Sequence, residues 1–286
     1  MAKKNRPKPV PPPELRPLFD AHTHLYSTVK KMGEQVASYE EGIRALMAEA
    51  DASGLVGVCT VGDGLPETEH ALEAAHMHPN VWAACAIHPT LAHTLDDAAK
   101  QRLTEMSQDP RCVAIGETGL DTYWIGKDTE TPSLEVQEEA FRWHIDLAVS
   151  SGKALMIHNR EADEDLLRVL EDAPRPQTVI LHCFSSPLEV AKEALGRGYV
   201  LSFAGNSTFK RNEELREAAR IAPAGQILVE TDAPYMTPEP FRGRRNAPSY
   251  VGYTAWVLAE VRGQSEREFA ELVTANACRV YGIPSL

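Results

Sequence analysis

Eight short apolar runs punctuate the chain, each rich in β-branched residues and each closing on polar ones. They cover 18–25, 55–62, 81–89, 112–121, 154–160, 178–185, 199–205 and 227–234. Runs that are apolar nearly throughout suit strands buried on both faces, as in a parallel sheet. The segments between them repeat apolar positions at helical spacing. Residues 36–52 read as a helix stopping before Gly54, and 134–151 as one stopping at Gly152, a residue free to take a left-handed terminal conformation. Residues 163–173 and 187–197 repeat the theme, with Ser186-Pro187 reading as an N-cap followed by proline in the first turn. A last helix falls near 265–277. Eight strand–helix units predict an α/β fold, a (β/α)8 TIM barrel forming a single domain over 18–286. A doubly wound open sheet is the alternative, but no glycine-rich dinucleotide fingerprint follows the first strand.

Residues 1–17 hold six prolines and five Lys/Arg, which predicts a disordered, polyproline-like tail. A solubilising extension is preferred there over an interaction arm. The basic start lacks an apolar core and does not read as a secretory signal. No stretch approaches the roughly 18 consecutive apolar residues of a membrane span, so no membrane association is expected. Five cysteines, an odd number without paired short spacing, predict a reducing, cytoplasmic setting. At 43% hydrophobic and 24% charged residues, the chain can bury a core, which excludes wholesale disorder. A formal net charge of −12 disfavours binding nucleic acid through a bulk positive field. It leaves room for a local basic patch, or for cations that offset carboxylates. No obligate protein partner is evident.

The chemistry lies in what closes the strands. His22 and His24 close the first, Glu117 the fourth, His158 the fifth, His182 the sixth and Asp232 the eighth. In a barrel these ends share one mouth, where active sites lie. His22 and His24 are two residues apart, so both can face inward and chelate one ion. Imidazole with carboxylate suits Zn, Mn, Fe or Co, and a carboxylate-rich site accepts Mg. Four His, one Glu and one Asp exceed a single tetrahedral site and suit two divalent metals sharing a carboxylate. The first metal takes His22, His24, Glu117 and Asp232; the second takes Glu117, His158 and His182. Glu117 bridges, being the only strand-end carboxylate in the middle of the order. Two such metals activate water and stabilise the leaving oxygen of an in-line displacement. Asp232 is a metal ligand, an acceptor of the water's proton, or both.

The segments FDAHTHL, AIHP, IGETGLD, IHNREA, LHCFSS, SFAGNSTFK, ETDAPYMTP, RGRRN and NACRVYG, in that order, resemble the TatD-type metal-dependent deoxyribonucleases, a branch of the amidohydrolase-like barrels. The resemblance spans 18–284 and leaves out the tail. Where many binuclear amidohydrolases bridge with a carboxylated lysine, Glu117 stands here, as in the TatD branch. The resemblance implies a 3′→5′ exonuclease on single-stranded DNA, with RNA a second substrate and Mg2+ supporting activity. The six ligand positions match the family motifs one by one. Three places depart from the family pattern: Thr90 follows His88-Pro89 where a second His is usual, Ala247 stands between Asn246 and Pro248 where Glu is usual, and Thr122 precedes Tyr123 and Trp124 where a Tyr is usual. These touch substrate contacts rather than the metal core.

Candidate phosphate donors are Asn159 and Arg160 after the fifth strand, Lys210 and Arg211 after the seventh, and Arg242, Arg244 and Arg245 after the eighth. Tyr123, Trp124 and Tyr235 follow ligand strands and are candidates to stack on bases. His88 either lines the mouth or holds a loop. Glu230 and Asp121 are candidates to orient ligands from behind. His70, His76, His78, His93 and His144 read as surface residues. Cys183 reads as a buried thiol facing away from the metals. Two other functions stay open: an ester or amide hydrolase on the same barrel, such as a D-aminoacyl-tRNA deacylase, and a non-catalytic metal-binding scaffold, against which the intact ligand set argues.

Overall fold

The computed structural model describes residues 7–286. Eight strands lie in one parallel sheet in sequence order: β1 Leu18–Thr23, β2 Leu55–Thr60, β3 Val81–Ala84, β4 Cys112–Asp121, β5 Ala154–Arg160, β6 Val179–Leu181, β7 Val200–Phe203 and β8 Ile227–Val229. All eight expected strands are present, and the (β/α)8 TIM barrel is the fold. Most strands stop short of the expected ends, and the residues after them turn into loops at the mouth. The helices are α1 Leu25–Lys30, α2 Tyr39–Ala52, α3 Leu65–Met77, α4 Asp97–Ser107, α5 Leu134–Ser151, α6 Asp163–Asp172, α7 Leu188–Gly196, α8 Glu213–Ile221, α9 Val251–Arg262 and α10 Glu266–Tyr281. α7 starts one residue later than Pro187 suggests, and Ser186 bonds to Asp163 rather than capping it.

Two apolar layers hold the barrel. Phe19, Ala21, Trp82, Val113, Met156, Ile180, Val200 and Leu228 fill its interior. The larger layer lies between sheet and helices. α10 runs a turn beyond its expected end because Ala277, Val280 and Tyr281 plug the barrel floor, where the Tyr281 hydroxyl donates to Ala21 O at 2.6 Å.

β1 and β8 close the barrel without a regular ladder. Asp232 N donates to His22 O at 2.9 Å and His24 N to Ala233 O at 2.7 Å. The fully buried Asp20 carboxylate accepts from Thr231 N at 2.8 Å and from the Thr231 hydroxyl at 2.6 Å. The seam thus ties His22 directly to Asp232 and His24 to its neighbour Ala233.

Part of the expected tail, residues 7–17, is described, and most of it is exposed apart from Pro12 and Leu15. Pro12 packs on Gly252, Leu15 is buried and donates to Ser53 O at 3.3 Å, and the Tyr253 hydroxyl donates to Val10 O at 3.1 Å. Apolar Pro and Leu side chains give this stretch enough contact to lie along the body. Residues 1–6 of the expected tail lie outside the described residues.

Candidate metal centre

Glu117 sits at the middle of the mouth. The register of β4 against β5 slips between Ile115 and Thr118, so one extra residue is accommodated there. A bulge of this kind re-aims a side chain, and Gly116 permits it, since a Cβ at that position would meet Met156 Cβ at 2.5 Å. The Glu117 carboxylate then divides two groups of histidines. Its Oε1 lies 2.7 Å from His182 Nε2, 2.8 Å from His158 Nδ1 and 3.5 Å from His88 Nε2. Its Oε2 faces His22 Nε2 at 3.3 Å and His24 Nε2 at 3.5 Å. Asp232 Oδ1 completes that side, 3.7 and 3.5 Å from the same two nitrogens. The His22 and His182 rings stack at 3.9 Å between centroids.

This is a dense set of buried charge. Burial alone would raise the Glu117 carboxyl, but His182, His22 and the hydrogen bonds from His158 and His182 outweigh it and hold it well below the carboxylate range. Burial lowers His24, yet Asp232, Asp63 and Glu117 outweigh it and raise the imidazole to about 9. Glu117 Oε2 and His24 Nδ1 are buried with no hydrogen-bond partner. Orphaned polar atoms in an interior are costly. Here they belong to a His/carboxylate donor set whose atoms converge as His22–His24–Asp232 and as His22–Glu117–His182. The residues fit divalent cations.

Carboxylates behind the imidazoles fix their orientation. Glu230, fully buried, lies 3.2 Å from His182 Nδ1 and accepts from Cys183 N at 2.8 Å, which turns His182 Nε2 towards Glu117. Asp121 Oδ2 lies 2.9 Å from His158 Nε2, which turns Nδ1 towards Glu117. His22 Nδ1 rests on the Met156 thioether at 3.1 Å. Asp232 holds a left-handed backbone, φ 53°, which orients its carboxylate towards the two β1 histidines.

The expected substrate residues divide. His88 both lines the mouth and holds its loop, through Thr90 Oγ1 at 2.7 Å from Nδ1. Burial, with the charge of His158, lowers it to about 4. Asn159 spends its amide on Asp163 and Ser186, at 2.6 and 3.1 Å, and so braces the α6 entry. Arg160 is exposed at the rim over Tyr123. Tyr235 is exposed and meets the His24 ring edge-on at 5.7 Å. Lys210 and Arg211 are exposed beside Phe209, whose ring carries Arg242 at 4.3 Å. Arg244 and Arg245 lie in the same β8–α9 loop, Arg244 N donating to Phe241 O at 3.0 Å.

Two expectations are corrected. His144 is fully buried rather than at the surface, bonded to Ala140 O, Thr118 and Ile87 N. Cys183 faces the centre beside Asp232, because β6 ends at Leu181 and strand alternation no longer applies where φ is 41°. Asp20 and Asp63 belong to the surroundings of the centre and escape a reading of strand ends alone. Asp63 Oδ1 lies 3.4 Å from His24 Nδ1. The signals were present: Asp20 shares the alternation of His22 and His24, and Asp63 follows a strand end.

Comparison with known proteins identifies the family. A family model described as TatD related DNase matches residues 19–282. An uncharacterized metal-dependent hydrolase TatD of Mycobacterium tuberculosis is 45% identical over 93% of this chain and 98% of its own. A protein of Enterobacter lignolyticus named 3′-5′ ssDNA/RNA exonuclease TatD is 31% identical over 84% of this chain and 92% of its own. The crystal structure of YjjV, a TatD homologue from Escherichia coli K12, shares the fold with a TM-score of 0.82 at 23% identity, covering 93% of this chain and 98% of that one. The chain belongs to the TatD family of metal-dependent hydrolases.

Proposed function

We propose that the protein cleaves phosphodiester bonds of single-stranded DNA from the 3′ end, with RNA as a second substrate. The observation that carries this reading is Glu117, whose two carboxylate oxygens face two separate histidine groups with Asp232 at one edge. The family match, and a relative named for this activity, support the substrate class.

Two divalent ions, Mg2+ for activity or Zn2+ or Mn2+, fit the centre. His22, His24, Glu117 and Asp232 would hold one; Glu117, His158 and His182 the other. Ions bound there supply Lewis acidity towards the phosphoryl group and lower the pKa of water. The side chains do the rest. Burial would raise Asp232, but His24, His22 and His182 outweigh it and keep it ionised, the state required to take a proton from the attacking water. Glu230 and Asp121 lock His182 and His158 in place, so their imidazoles do not rotate away from the centre. Arg160 at the rim, with Lys210, Arg242, Arg244 and Arg245 across β7 and β8, offers donors to the substrate backbone.

A reducing, cytoplasmic setting goes with this reading, all five cysteines being free. Among the described residues no helix is long and apolar enough to cross a membrane.

The test is 5′-labelled single-stranded DNA with Mg2+ or Mn2+, against EDTA and against Asp232→Asn. A ladder shortening from the 3′ end, lost in both controls, is expected. Absence of cleavage by folded, metal-loaded protein overturns the reading and turns attention to ester and amide substrates, an aminoacyl-tRNA panel first.

A further inference from the structure

The loop after β4 carries an aromatic pair that the metal centre does not use. Trp124 is 38% exposed and meets Tyr123 edge-on, 5.0 Å between centroids at 84°. Lys127 Nζ lies 3.4 Å from the Tyr123 centroid and Arg160 Cζ 3.8 Å from the same point. Two cationic heads that close to one centroid would collide on a single face, since non-bonded heavy atoms stay about 3.5 Å apart. They therefore occupy opposite faces of Tyr123. Tyr123 has no face left for a ligand; it serves to hold two cations in place. Trp124 keeps an open surface, with Arg160 Cζ at 5.5 Å.

This assembly is fastened to the metal centre. Asp121 places Oδ2 on His158 and accepts from Trp124 N with Oδ1 at 3.1 Å. Thr122 N donates to Arg160 O at 3.1 Å, and Lys127 N to Trp124 O at 2.9 Å, closing the loop into a turn. One carboxylate thus sets the indole relative to a metal-facing histidine. An open indole flanked by two fixed cations, on a chain of net charge −12, matches one chemistry: a base attached to a phosphate.

We propose that Trp124 is the base-stacking subsite of the active centre, with Arg160 and Lys127, sandwiching Tyr123, engaging the backbone of the same single strand. The proposal rests on the single-strand reading above and assigns the subsite within it. Each stacked base commonly contributes a factor of about ten in affinity.

The experiment has two arms, both with Mg2+-loaded protein. In the first, indole fluorescence is titrated with a short phosphorothioate oligothymidylate; the expected result is a saturable quench that disappears in Trp124→Phe. In the second, KM for a single-stranded oligonucleotide is measured. It should rise about tenfold in Trp124→Ala and return close to wild type in Trp124→Phe, with kcat changing less than KM. Trp124 is a rim residue, so neither variant removes core packing. A quench that survives in Trp124→Phe, or a wild-type KM in Trp124→Ala, overturns the subsite. Failure of the wild-type protein to cut the oligonucleotide, together with a Trp124-dependent quench, overturns the nuclease reading and leaves the subsite standing. Cutting without any dependence on Trp124 does the reverse.

Discussion

Acid should unfold this protein in part through His144, a residue outside the metal centre. Its imidazole is fully buried on α5, with Nδ1 2.7 Å from Ala140 O and 3.1 Å from Thr118 Oγ1, and Nε2 accepting from Ile87 N at 3.2 Å. The neutral ring with its proton on Nδ1 satisfies every contact. A second proton, on Nε2, would point at an N–H. Burial, against the Ala140 carbonyl, lowers the group to about 4. The unfolded chain protonates near the ordinary value of about 6.5. As pH falls from about 6.5 to about 4, the unfolded state therefore gains a proton that the folded state refuses, and stability is lost. Above about 6.5 both states are neutral and the residue adds no pH dependence. The slope is about 1.4 kcal/mol per pH unit, so the whole window is worth about 3 kcal/mol and the step from pH 7 to pH 5 about 2 kcal/mol. The assay is urea unfolding of wild type and His144→Gln at both pH values, with EDTA throughout. His88, also lowered to about 4, contributes to both proteins and cancels in the comparison. Wild type should lose about 2 kcal/mol more than the variant between the two pH values. Equal losses would refute the argument that the Ile87 N–H forbids the second proton.

Further outcomes follow from single contacts. Glu230→Gln removes the charge behind His182 and should weaken Mn2+ binding about tenfold by calorimetry while leaving the fold intact; unchanged affinity would deny the orienting role. Gly119→Ala should cost more than about 3 kcal/mol in urea unfolding, because φ is +143° and the new Cβ would stand 2.0 Å from His158 O; a loss under about 1 kcal/mol would contradict the β4–β5 packing. Because His24 is raised to about 9, it carries a proton at neutral pH that a metal must displace. Affinity for Mn2+ should therefore climb with pH through the neutral range, about tenfold per pH unit for each proton released; a flat profile from pH 6.5 to 8 would contradict this.

Much of this molecule is legible along the chain, for definite reasons. Strands buried on both faces leave uninterrupted apolar runs, and titratable residues that end such runs stand out. That is how His22, His24, Glu117, His158, His182 and Asp232 are found. What stays hidden depends on contacts made across the fold. Nothing near His144 in sequence shows that Ile87 N and Thr118 wait for it. Cys183 leaves the strand alternation once its backbone turns left-handed. Asp20 reads as one polar residue in an apolar strand until Thr231, on the far side of the seam, meets its carboxylate. Asn159 looks like a phosphate donor because it follows a ligand, yet Asp163 and Ser186 claim its amide. Composition alone does not show that, within the proline-rich segment, Pro12 and Leu15 meet the body.

Six side chains on or just beyond five strands form one centre divided by Glu117. Crystals grown with Mn2+ and measured at the manganese absorption edge put this division to the test. Two anomalous peaks are expected, one on each side of the Glu117 carboxylate, with His22, His24 and Asp232 around one and His158 and His182 around the other. A single peak, or two peaks that leave Glu117 unligated, would contradict it.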